Sequence, residues 1–161
     1  MPGEIKVKIR RFIKDPYGNV VIEGTRGRYE LEHEGENKNL LTTLGVNFLA
    51  TQGYSDSPGA NGANYIALTT DTDDPAVGDT VLASEITTGG LARKQATIDV
   101  TDNIVTLTAL WTATATHTGV YKAGLFTAAT VGTMVHEVVL DGSYTLRLGD
   151  QIEVEWIITG A

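Results

Sequence analysis

The chain has no cysteine, which excludes a disulfide framework and any thiolate metal site. Nowhere do its apolar residues run to the ~20 that a membrane-spanning helix needs, so no membrane partner is expected. The opening Met1-Pro-Gly-Glu-Ile-Lys6 lacks the apolar stretch of a secretory signal, and synthesis in the cytosol is the expectation. Positive charge is scarce as well. Twelve Lys and Arg stand against twenty Asp and Glu, a formal net charge of -8. A general nucleic-acid binder needs the opposite field, so no nucleic acid is expected either.

The shortage of cations is uneven. Lys6, Lys8, Arg10, Arg11, Lys14, Arg26, Arg28 and Lys38 all precede residue 39, where they meet seven carboxylates. Beyond that point only Arg93, Lys94, Lys122 and Arg147 face thirteen. An acidic body thus follows a slightly basic leading segment, which suits docking on an acidic partner.

What the chain has in abundance is short, threonine-rich, alternating strands. In Ile104–Thr114 the residues Val105, Leu107, Ala109, Trp111 and Ala113 share one face, and Thr106, Thr108, Leu110, Thr112 and Thr114 the other. Strict alternation of this kind marks a strand with one buried face. Further strands are predicted at 64–69, 92–100, 120–126, 134–140 and 152–158, separated by glycine-bearing turns. Many short strands at even spacing predict a mainly β protein, an antiparallel β-sandwich or jelly roll.

Two segments differ. Residues 1–36 read as an N-terminal arm or small sheet, with alternation over Glu4–Arg10 and a hairpin turn at Asp15-Pro-Tyr-Gly-Asn19. Within the body, 37–161, the stripe Leu40, Leu44, Phe48 predicts the single short helix, about 38–52, capped by Asn37 or Asn39.

Reaction machinery was sought residue by residue. Ser55, Ser57, Ser84 and Ser143 lie in turns or at element ends without a nucleophile elbow, and His33, His117 and His136 are isolated. Asp71, Asp73, Asp74 and Asp79 form a carboxylate-rich loop that could attract calcium, but not with EF-hand spacing, and aspartate is common in turns. Glu153 and Glu155 share an exposed strand face. Gly89-Gly90 reads as a tight corner into the next strand, and Arg93 as a candidate for an ion pair between subunits. No cofactor and no catalysis are expected.

Three stretches in fixed order carry a resemblance. They are Asn39-Leu-Leu-Thr-Thr-Leu-Gly-Val-Asn-Phe-Leu49, then Asn64-Tyr-Ile-Ala-Leu68 through Leu82-Ala-Ser-Glu-Ile86 to Gly89-Gly-Leu-Ala-Arg93. Third come Val120-Tyr-Lys-Ala-Gly-Leu-Phe126, Gly132-Thr-Met134 and Leu148-Gly-Asp-Gln-Ile-Glu-Val-Glu-Trp156. Together, over roughly residues 35–159, the chain resembles small structural proteins of tailed bacteriophages and related viruses, of the capsid decoration (cement), head-fibre or tail-fibre type. The resemblance implies a virion component without catalytic residues, made in the host cytoplasm and added to the outside of an assembled capsid. The implied partners are the major capsid protein and further copies of the chain, commonly as a trimer. Docking is expected through Lys6, Lys8, Arg10, Arg11 and Lys14, and subunit contact through Tyr121, Leu125, Phe126 and Arg93. The alternative is a tail or fibre protein that binds a receptor or carbohydrate through Tyr54, Tyr65, Trp111, Tyr121 or the loop carboxylates.

Overall fold

A computed structural model describes residues 3–10, 12–14, 20–22, 31–35, 40–45, 62–102 and 104–159. They form two five-stranded sheets and one hairpin. In the first sheet the order is β4 (Leu31–Gly35), β1 (Gly3–Arg10), β12 (Gln151–Thr159), β9 (Ile104–Thr112) and β8 (Thr97–Thr101). In the second it is β5 (Leu40–Leu41), β11 (Met134–Leu146), β10 (His117–Phe126), β6 (Tyr65–Thr69) and β7 (Lys94–Gln95). Every strand pair is antiparallel.

The sheets face each other across a shared core. Leu107, Ala109, Trp111, Ile152, Val154 and Trp156 of the first sheet pack with Ile66, Leu68, Ala123, Leu125, Val138 and Leu140 of the second. Removing this apolar surface from water is the main stabilising term of the sandwich. The arrangement is the antiparallel β-sandwich that the alternation predicts, and β9 buries the face expected of it, with Leu107, Ala109 and Trp111 all inaccessible.

The leading section contributes to this body. β1 lies between β12 and β4, with Val7 opposite Val154 and His33. The predicted hairpin is present as β2 (Phe12–Lys14) and β3 (Val20–Ile22), with Lys14 opposite Val20.

The helix starts later than the leucine stripe suggests. Leu40 and Leu41 pair as β5 with Glu137 and His136, so the first turn is strand. A helical turn then begins at 43, and Thr42 caps it: its Oγ1 accepts from Gly45 N at 3.0 Å and donates to Met134 O at 2.8 Å. The cap is therefore Thr42, not Asn37 or Asn39. Residues 46–52 of the predicted helix lie outside the described residues. No helix among the described residues is long and apolar enough to cross a membrane.

Gly89 and Gly90 make the corner into β7, with φ of 63° and 82°. A Cβ on Gly90 would run into the Thr112 carbonyl oxygen, and one on Gly89 into the His117 ring. The pair is needed for positive φ and for close backbone approach.

Candidate functional site

The second sheet carries a buried lysine within an apolar stretch of β10. Lys122 sits on β10 among Val120, Ala123 and Leu125, and its side chain is 2 % exposed. Glu137 occupies β11 in the same way. The register sets Lys122 opposite Val139 and Gly124 opposite Glu137, so the two charged residues are diagonal neighbours on one face. That face is the outer one, and the 70–86 segment covers it. Leu82 packs there with Ala67, Phe126 and Met134. Thr69 Oγ1 donates to Ala83 O, and Ile86 N donates to Leu68 O at 2.8 Å.

Under this cover Lys122 Nζ finds three acceptors: Asp71 Oδ2 at 2.6 Å, Asp73 O at 2.8 Å and Glu137 Oε1 at 2.8 Å. An ammonium has three N–H donors, so Lys122 is fully satisfied. Glu137 is not. Its Oε2 is buried and has no hydrogen-bond partner. The cluster forms the floor of a cleft of about 410 Å³ that Asp74, Asp79, Thr80, Val81 and Ala83 also line.

The charges explain the titration of each group. The Lys122 ammonium holds the Asp71 carboxyl below its usual pKa. Burial works against the ammonium itself, yet its bonds to Asp71 and Glu137 prevail and raise the Lys122 pKa. For Glu137 burial prevails instead, and with the neighbouring Asp79 it raises the pKa despite Lys122.

A second charged clamp involves Arg93. Its guanidinium grips Glu85 with two bonds, Nε to Oε1 at 3.0 Å and Nη2 to Oε2 at 2.7 Å. Nη1 donates to Ala128 O at 3.0 Å and Val131 O at 2.8 Å, and the group lies 3.6 Å above the Phe126 ring centroid. Arginine alone combines a bidentate fork with stacking in this way. The clamp fixes the turn after β10, where Val131 has φ of 60° and is 88 % exposed.

Several expectations change in this light. Leu125 and Phe126, expected at a subunit contact, are buried within the single chain: alternation puts Leu125 in the core, and Leu82 covers Phe126. Arg93 makes its bonds to Glu85 and to two carbonyls of its own chain. Tyr121 remains half-buried. Trp111 cannot serve as a sugar platform: its ring is buried and its Nε1 donates to Ala92 O at 2.8 Å. Asp71 pairs with Lys122, and among the described residues no three His, Asp or Glu side chains are placed to hold a metal ion. The calcium reading of Asp71, Asp73 and Asp74 thus gives way to an ammonium at that position.

Of the basic docking residues, Lys6, Lys8 and Arg10 lie on β1 and Lys14 on β2, while Arg11 lies outside the described residues. Lys6 falls between Glu155 and Glu34 in the register, and Lys8 between Glu153 and Glu32; Arg10 falls opposite Gln151. Tyr54 is also outside the described residues. The histidines stay apart in role. His117 Nε2 meets Gly89 O at 3.0 Å, whereas His136 is buried beside Trp156, ring centroids 6.2 Å apart.

Lys122, Glu137 and Glu85 are not among the site residues that the sequence suggests. The signal was there for the first two: a single charge inside each of two apolar strands, Val120-Tyr-Lys-Ala-Gly-Leu-Phe126 and Met134-Val-His-Glu-Val-Val-Leu140, of opposite sign. No protein-family model, curated protein or solved structure matches the chain.

Proposed function

We propose that this chain is a non-enzymatic virion protein that binds the outside of an assembled capsid as a homo-oligomer and reinforces it. Its partner is an acidic surface of the major capsid protein, met after synthesis in the host cytoplasm. The observation that carries the docking site is the register of β1. The register gives Lys6 the cross-strand positions of Glu155 and Glu34, and Lys8 those of Glu153 and Glu32, so each lysine has an acidic register partner on both sides. Arg10 and Lys14 have no acidic register partner among the described residues, and they stand at the end of β1 and in β2, on either side of the link between those strands. Docking therefore centres on Arg10 and Lys14, with Arg11 adjoining Arg10 in the sequence. A body whose loops are pinned by Lys122 and Arg93 supplies the rigidity that reinforcement requires.

The test is cosedimentation of the purified chain with shells that lack it. The triple variant Arg10→Glu, Arg11→Glu, Lys14→Glu should stay in the supernatant while melting like the wild type. Lys6→Glu with Lys8→Glu should still cosediment, at reduced stability. Retained binding by the triple variant would remove the docking site, and binding to tails or glycans instead of shells would favour the fibre reading.

A further inference from the structure

The acidic cleft over the second sheet is unfinished in one respect. Five carboxylates (Asp71, Asp73, Asp74, Asp79 and Glu137) line it against a single ammonium. That ammonium has no donor left, since Lys122 already serves Asp71, Asp73 and Glu137. At the floor, Glu137 Oε2 is buried without a partner in a residue only 1 % exposed. A buried carboxylate oxygen without a donor is costly, and a donor entering the cleft would relieve it.

We propose that this cleft binds a guanidinium group, the side chain of an arginine on a partner protein, between Glu137 and Asp79. Three observations select that chemistry. A divalent cation needs six or more oxygens converging on one point, and the described carboxylates form no such group. A guanidinium, by contrast, is planar, spreads its charge over a fork of N–H donors and pairs side by side with adjacent carboxylates. The walls suit the rest of an arginine, because Val81, 70 % exposed, and Ala83 offer apolar surface to its methylene stem. The pKa of Glu137 is raised by burial and by the adjacent Asp79 carboxyl despite its bond to Lys122, the direction expected where two neighbouring carboxyls share one ammonium. The site does not depend on the capsid reading, since any partner that presents an exposed arginine could fill it.

The experiment is a titration of the full-length, isotope-labelled chain with acetyl-Gly-Arg-Gly-amide, followed by amide chemical shifts. Parallel titrations use the citrulline analogue, which is isosteric but neutral, and calcium chloride. The expected result is saturable binding of the arginine peptide alone, with shifts gathered at residues 71–83, 122 and 137. Asp79→Asn should weaken it about tenfold, the loss of one charge-assisted hydrogen bond, and Glu137→Gln by at least as much. Asp99→Asn, on the far edge strand, should leave it unchanged. The proposal fails if the arginine peptide gives no saturable response, if citrulline binds equally, if calcium alone moves these residues, or if Asp79→Asn binds like the wild type. Because Asp79 lies in a loop, its variant remains informative should Glu137→Gln not fold.

Discussion

The two sheets are built from similar strands but are covered differently. In the first, β9 and β12 bury every second residue, with Leu107, Ala109, Trp111, Ile152, Val154 and Trp156 inward and mostly threonine, glutamate and glutamine outward, beside Leu110 and Ile157. In the second, Ile66 to Thr69, Lys122 to Phe126 and Met134 to Val138 are buried without a break. The cause is the segment after β6, which folds back over the outer face and brings Leu82 and Asp71 with it. A sheet with one wet face can place charge outside freely, whereas a sheet covered on both faces must pair it. The difference teaches where chemistry collects in this molecule: under the cover, not on the open face.

Truncating one outward side chain in each sheet should show the difference most clearly. Lys122→Ala leaves Glu137 buried without its ammonium and should lower the unfolding free energy by about 3–5 kcal/mol. Thr106→Ala, on the open face of the first sheet, should change it by no more than about 0.5 kcal/mol. Urea titrations of both variants provide the comparison, and equal losses would show that the cover does not isolate the cluster.

Acid should probe the covered sheet next. Burial lowers the His136 pKa from 6.5 to about 4, so the unfolded chain takes its proton first. Stability from this group is complete above 6.5 and is lost as the pH falls toward 4, by at most about 3 kcal/mol. Glu137 acts in the opposite sense. Its raised folded-state pKa means the native chain binds the proton first, so its contribution improves on acidification above the ordinary carboxylate value of 4.5. Thermal melts from pH 7 to 4 should therefore fall less steeply in His136→Met and more steeply in Glu137→Gln than in the wild type.

The smallest effect concerns the turn beside the cover. Arg93→Lys keeps the charge but loses the bidentate grip on Glu85 and the stacking on Phe126, at a cost of about 2 kcal/mol. Limited proteolysis should then cut faster near Val131 than in the wild type, with the first sheet still protected.

Legibility in the sequence followed this same contrast. The strands β9 and β12, the β2–β3 hairpin and the glycine corner at Gly89-Gly90 could be read because each depends on local rules: alternation, turn chemistry, positive φ. The helix was displaced because Leu40 and Leu41 satisfy a helical stripe and a strand equally, and pairing with His136 and Glu137 decided between them. The burial of Leu125 and Phe126 is not legible locally, because an unbroken apolar run in a strand does not show that a second layer covers it. Lys122 and Glu137 stood out only as charges in apolar strands, with nothing local to join them.

The sequence by itself determined the class of fold, the acidic body and the absence of cysteine chemistry, since composition and period-two patterning act over a few residues at a time. Only the tertiary structure decided that Asp71 meets Lys122 across 51 positions, and that Glu137 is left with a free oxygen at the floor of a cleft. Such a site is made by the path of a covering loop, and that path is set by packing between residues far apart in the chain.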